Sequence, residues 1–270
     1  MKAWGCFCLR AYAQAPGLQI TTLFRAENHQ FHYKRLWRPL CELKAGWIFL
    51  FKADPSGVME TSSDQSLIGV QNYLEKAVQN LKPVAPVKFH ISSRTDTGVH
   101  ALCNSAHLDI QRAPGKPAFE EKQLVHGLNR HLKPEPIRIL NAHRVPSTFH
   151  ARFSALSRTY IYRLLMGCSH HSEIPVFERD LCWAPGGGGL EFWELKFRSR
   201  SFLYRQVRRM VGALVAVGQG KLTPHRIKEL LELKDSRAFP PNAMAPPSGL
   251  FLKSVEYSEA DLDTTAAPGE

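Results

Sequence analysis

The chain has few acids near its start, no paired cysteine motif and no long apolar run. Its six cysteines, Cys6, Cys8, Cys41, Cys103, Cys168 and Cys182, form no Cys-x-x-Cys pair and share no regular spacing. Neither a zinc site nor a disulfide framework is therefore expected, and a reducing compartment fits. No stretch approaches the roughly eighteen apolar residues of a membrane span, so no membrane partner is expected. Gly186 to Gly189 are followed by Leu190 and Glu191 rather than Lys-Ser/Thr. They read as a flexible connector and not as a phosphate-binding loop. Through Leu40 the one acid is Glu27, against Lys2, Arg10, Arg25, Lys34, Arg35 and Arg38. Such a start resembles an organellar transit peptide, and a loosely structured basic arm has the same composition.

What is present is a basic chain of ordinary apolar content. Its 270 residues are 44% hydrophobic, enough for one large or two small cores, and the formal charge is +11. That excess points to a polyanionic partner, with nucleic acid the better fit. Trp47 to Phe51 has the composition of a short strand, and Asp54 to Ser66 that of a linker. Val70, Leu74, Ala77, Val78 and Leu81 mark one helical face that ends at Pro83. A second helix is expected over Glu120–Leu132, with strands at Val87–Ile91, Ala106–Ile110, Ile137–Leu140, Thr159–Leu165, Phe192–Phe202 and Leu250–Tyr257. Pro224 opens a helix whose Ile227, Leu230 and Leu231 are expected to face inward. Ser258 to Glu270 reads as a disordered tail. The mixture is α+β.

The chemistry concentrates in three places. Ser92-Ser-Arg-Thr-Asp-Thr-Gly-Val-His-Ala101 joins two strands and puts Asp96 on a turn, where Gly98 can take positive φ and Thr95 and Thr97 offer hydroxyls. A carboxylate beside a guanidinium can serve as nucleophile or base, although an Asx-turn with a surface ion pair has the same local pattern. In Thr159–Leu165, Tyr160, Tyr162 and Leu164 share a face. Tyr160 offers a flat partner for a base, and Arg152, Arg158 and Arg163 offer phosphate contacts; core packing is the competing reading for the tyrosines. Finally, Val207, Met210, Val211, Leu214 and Val215 form a helical face with Arg205, Arg208 and Arg209 beside it in the first turns. Cations there oppose the helix dipole and call for an anion, either RNA phosphate or Asp96; a solvated arginine face is the alternative.

Taken together these residues resemble a known family. Arg94-Thr95-Asp96-x-Gly98-Val99-His100-Ala101, Phe149-His-Ala-Arg-Phe-Ser-Ala155 with Arg158-x-Tyr160-x-Tyr162, Val207-Arg208-x-Met210-Val211-Gly212 and Gly249-Leu-Phe-Leu252 occur in the order seen in the TruA-type tRNA pseudouridine synthases. The resemblance implies an α+β fold of two related halves around a mostly antiparallel sheet, with helices on one side and a basic cleft. It implies isomerisation of uridine to pseudouridine in RNA, most often tRNA, without cofactor or metal, by a protein that can be a homodimer and mitochondrial. By position, Asp96 resembles the catalytic aspartate, Tyr160 the tyrosine that packs on the target base, and Arg208 the arginine paired with the aspartate. Arg94, Thr95, His100, Arg152, Arg158 and Leu250 are the expected substrate contacts.

On this likeness residues 1–66 are an unmatched basic extension and linker, 67–183 and 191–257 the two catalytic halves, 184–190 a glycine-rich connector and 258–270 a tail. Two family elements are not found: the first strand, expected within residues 1–66, and a mid-chain helix where the glycines stand. The expectation is thus an incomplete sheet with an exposed edge. Two further readings lie open, a non-catalytic RNA-binding protein of the same fold and a metal-dependent nuclease using Asp96 with His100, His107 or His150.

Overall fold

The computed structural model describes residues 19–25, 46–53, 69–168, 170–187, 189–233, 235, 238–240 and 243–262. The transit-like start, apart from 19–25, and the linker read over Asp54–Ser66 lie outside the described residues. Among those described, eight strands form one sheet: β1 (Gln19–Arg25), β2 (Gly46–Ala53), β3 (His90–Ile91), β4 (His100–Leu108), β5 (Ile137–Val145), β6 (Ala155–Met166), β7 (Glu191–Ser199) and β8 (Leu250–Tyr257). The order is β1-β7-β6-β8-β4-β2-β5, with β3 also on β4. Every strand pair is antiparallel except β4–β8.

The expectation of a missing strand is corrected here. β2 lies inside the sheet, pairing along its length with both β4 and β5. Trp47 to Phe51 is apolar throughout, so it shows no alternation to set it apart from other apolar runs. At the other end β1 covers the outer side of β7. Residues 1–66 therefore contribute two strands to the sheet. Between β6 and β7 the described residues hold two 3-10 turns, His171–Glu173 and Val176–Glu178, and no α-helix. The glycine connector is anchored: Gly167 N–H donates to the Gly187 carbonyl at 2.8 Å, and a Cβ on Gly167 would lie 2.5 Å from the Gly189 backbone.

Helices α1 (Val70–Gln79) and α2 (Glu121–His131) close one apolar cluster. In it Leu74, Leu124 and Leu128 meet Phe89, Ala106, Leu108 and Ile139. At the sheet edge the Asn129 side-chain amide donates to the Ile139 carbonyl at 2.9 Å and accepts from its N–H at 2.8 Å, as a further strand would. β3 is shorter than the expected Val87–Ile91 because α1 captures the backbone before it. Glu75 accepts from Phe89 N–H at 3.2 Å, and Gln71 donates to the Phe89 carbonyl at 3.4 Å.

A second cluster joins α3 (Gln206–Gly218) to β6, β7 and β8 through Val207, Val211, Tyr160, Tyr162, Leu195, Phe197, Leu250 and Leu252. α4 (Pro224–Leu233) departs from its reading: it contains no buried residue, and Leu231 faces solvent. The tail begins with a short helix α5 (Glu259–Leu262), and its remainder lies outside the described residues.

α3 is seated on the segment that leads into β8. A Cβ on Gly212 would lie 1.6 Å from the Ala243 carbonyl oxygen, far inside contact distance. Gly212→Ala is expected to destabilise the protein by about 3 kcal/mol, because neither backbone can yield locally. Urea unfolding of the purified variant beside the wild type measures this.

Candidate active site

The Asp96 loop leaves the sheet where β4 exchanges neighbours. Ala106 and His107 of β4 pair with β3, whereas His100 and Ala101 pair with β8. The loop fills the fork. Its turn is closed by Val99 N–H donating to the Asp96 carbonyl at 3.1 Å. Gly98 has φ +85° and packs so closely on Pro247 that a Cβ would come within 2.7 Å of that ring. Glycine is required here for both reasons.

Two arginines converge on the carboxylate. Arg208 Nη1 donates to Asp96 Oδ2 at 3.3 Å, and Arg205 Nε stands 3.9 Å from the same oxygen. Asp96 keeps 24% of its side-chain surface exposed, so a substrate can reach it. Arg208 itself is buried, contrary to a solvated arginine face, and its Nε donates to the Ala245 carbonyl at 2.8 Å. That bond fixes the guanidinium plane and leaves one end for Asp96. The anion that the cations of α3 require is thus Asp96.

Tyr160 lies beside them, buried, edge-on to Phe202 at 5.2 Å between ring centroids. Burial pushes its phenol up to about 12, and the Ser93 hydrogen bond and the Arg158 charge only partly oppose this. The phenol therefore keeps its proton at neutral pH. On the neighbouring strand Leu250 and Leu252, opposite Tyr162 and Tyr160, give the site an apolar wall. Gly249 admits the Tyr162 ring, which a Cβ would meet at 2.7 Å, and Tyr162 OH donates to the Pro246 carbonyl at 2.7 Å.

The expected phosphate contact at Arg158 is corrected. Its guanidinium is buried and spent on the protein. Nε donates to Ser93 Oγ at 2.9 Å; Nη2 donates to the Ser92 carbonyl, Ser92 Oγ and the Arg152 carbonyl at 3.1, 3.1 and 2.8 Å; Nη1 donates to the Arg200 carbonyl. Burial pulls its pKa down. Asn104, wholly buried, donates to the Ser93 carbonyl at 2.8 Å. Together they clamp the root of the Asp96 loop to β4, β6 and the end of β7. These anchors were not visible in the sequence, since most of their acceptors are backbone carbonyls.

His100 is also corrected. It is buried, stacked on Phe251 at 4.6 Å, with Nε2 3.0 Å from the Asp180 carbonyl, so it holds the β4–β8 junction and does not face a substrate. Thr95 is buried within the loop, whereas Arg94 and Arg152 are exposed, the latter with its guanidinium 5.7 Å from the Phe153 ring. His107 and His150 belong to a ring cluster with His90, at centroid distances of 4.6 to 5.7 Å. None of the three histidines proposed for a nuclease site is paired with Asp96. Among the described residues no group of three His, Cys, Asp or Glu is placed to hold a metal ion.

Comparison with known proteins identifies the family of the chain. A family profile described as tRNA pseudouridine synthase matches residues 169–258. The chain is 49% identical over 269 residues to tRNA pseudouridine synthase-like 1 of Xenopus laevis, covering 78% of this chain and 90% of that protein. The chain belongs to the TruA-type tRNA pseudouridine synthase family. To the Homo sapiens tRNA pseudouridine synthase-like 1 it is 44% identical over 261 residues, covering 76% and 86%. To tRNA pseudouridine synthase A of Cereibacter sphaeroides it is 35% identical over 231 residues, covering 70% and 88%. The aligned spans exceed the part of this chain that enters them, so these relatives carry segments that this family member lacks.

Two outcomes follow from the geometry. Arg158→Lys keeps the charge but offers one nitrogen to acceptors arrayed around a planar fork, and is expected to cost about 2–3 kcal/mol in urea unfolding. His107 Nδ1 accepts from Ala151 N–H at 3.0 Å. Burial and the neighbouring His150 and His90 lower its pKa from 6.5 to about 4. The unfolded chain therefore binds the extra proton first, and this contribution to stability is complete above pH 6.5 and lost as pH falls towards 4. Chemical denaturation across that window should show the loss, and His107→Asn, whose amide oxygen can still accept from Ala151, should flatten it.

Proposed function

We propose that this protein isomerises a uridine in tRNA to pseudouridine, with Asp96 as the group that acts on the ribose. The observation that carries the reading is the partly exposed carboxylate of Asp96, aimed by Arg208 and set between buried Tyr160 and the apolar wall of β8. The reaction breaks the bond from N1 of uracil to C1′, turns the base, and joins C5 to C1′. C5 loses a proton and N1 gains one, so no oxidant, reductant or other co-substrate is needed. Asp96 either adds to C1′ or removes the C2′ proton; both demand an anion held in a fixed direction, which the Arg208–Ala245 bond supplies.

The target base has to leave its stack to reach this carboxylate. Tyr160 then offers the detached uracil a flat partner, and Leu250 and Leu252 an apolar wall, so that it turns without diffusing away. Exposed Arg94 and Arg152 are read as contacts to RNA phosphate.

Residues 67–183 and 191–257 are read as the two related halves of the family fold, with a basic cleft between them. The two apolar clusters and the charge of +11 support this. By the same likeness the working form is read as a homodimer, and the acid-poor start as a mitochondrial address.

Unmodified tRNA transcripts incubated with the full chain should accumulate pseudouridine, detected by mass spectrometry of the digested RNA. Asp96→Ala at equal folded concentration should give no product while retaining salt-sensitive RNA binding. Arg208→Lys should lose at least about a hundredfold in kcat, because it keeps a charge but cannot bond both Ala245 and Asp96 in one plane. RNA binding without product from the wild type would instead establish a non-catalytic RNA-binding protein.

A further inference from the structure

The turn between β7 and α3 divides its side chains sharply. Phe202 is half-buried against the Tyr160 ring. Arg205 reaches Asp96. Between them Leu203 and Tyr204 are 79% and 66% exposed. Two large apolar side chains thus stand in water on the rim of the carboxylate site, where folding gains nothing from them. More exposed still is Phe177, but it lies in a 3-10 turn after β6 and touches none of the site residues named here.

The exposed pair is held rigidly. Leu203 N–H donates to Gln206 Oε1 at 2.8 Å, and its carbonyl accepts from Gln206 N–H at 3.0 Å, so its backbone is fixed from both sides. Arg205 adopts the left-handed conformation, φ 57° and ψ 17°, which strains a non-glycine residue. Its guanidinium lies 4.6 Å from the Tyr204 ring centroid, joining that ring to the charge pair at Asp96. The turn is also flanked by exposed Arg200, and the loop across the site carries exposed Arg94. A preorganised apolar tip set among cations suits a polyanion whose interior is made of stacked flat rings.

We propose that Leu203 and Tyr204 are a wedge that enters the RNA base stack where the target uridine leaves it. This inference rests on the synthase reading and adds to it the element that separates the bases. Extruding a nucleotide leaves a gap with two bare base faces, and an apolar side chain that fills it recovers part of the lost stacking. Leu203 fills the gap, and Tyr204, braced by Arg205, stacks on the base next to it. The same strained residue ties the wedge to Asp96, so base separation and attack share one rigid turn.

The test uses RNA hairpins with a single uridine beside 2-aminopurine, placed in turn in the stem, at its junction with the loop, and in the loop. 2-Aminopurine brightens when its stacking is broken, whether or not product forms. The full-length wild type should raise the fluorescence on at least one hairpin. Leu203→Ala/Tyr204→Ala should remove most of that rise, with RNA affinity changed by less than about threefold, whereas Leu203→Met should keep it. Pseudouridine formation should fall at least about tenfold on that hairpin and less than about twofold on an unstructured oligonucleotide holding the same uridine. No rise with the wild type, a full rise with the double variant, or equal loss on both substrates would overturn the wedge. A rise that depends on the two residues but yields no product would uphold the wedge and overturn the synthase reading.

Discussion

The structure turns on a steric constraint, the close fit of residues 243–249 into three neighbours at once. Their backbone lies where a side chain on Gly212 would be, Pro247 lies where one on Gly98 would be, and Gly249 lets the Tyr162 ring approach. Each contact locates a different part of the site: the helix bearing Arg208, the turn bearing Asp96, and the strand bearing Tyr160. Hydrogen bonds from Arg208 and Tyr162 to the carbonyls of Ala245 and Pro246 complete the fit. Because packing this tight is bistable rather than compliant, Asp96, Arg208 and Tyr160 are in register or the segment is not docked at all.

The electrostatics follow from that placement. Asp96 and Arg208 are 112 residues apart in the chain, and only the docking of α3 brings them together. Arg158 does the opposite kind of work: its charge meets no carboxylate among its bonds and is distributed over carbonyls and hydroxyls of the loop root and its neighbours. One arginine thus aims Asp96 and another holds its loop still. Burial moves the Tyr160 phenol further above neutral, so it places no second negative charge beside Asp96.

Much of this was legible in the chain itself. The Asp96 turn was, because its causes are local: a glycine with positive φ and an apolar strand on each side. The cations in the first turn of α3 called for an anion but left RNA phosphate and Asp96 both open, and only the family resemblance paired Arg208 with Asp96. Arg158 was misread as a phosphate contact because a guanidinium that bonds carbonyls leaves no partner residue type in the sequence. β2 was underrated for its lack of alternation, and the role of the stretch before β8 lies in backbone proximity, which leaves no residue signature. The inward face assigned to α4 held only in part, with Ile227 and Leu230 half-buried and Leu231 exposed, because helical periodicity shows that a face is apolar, not how far it is covered.

Among the described residues β8 is the last strand in chain order, yet it lies in mid-sheet, between β6 and β4. On a ribosome, at about 5–20 residues per second, Asp96 is made roughly 10–30 s before Leu250. Throughout that interval β6 and β4 have no common neighbour, and the fork that seats the Asp96 loop does not exist. A chain released before Leu250 is made therefore holds the Asp96 turn without the strand that completes its seat.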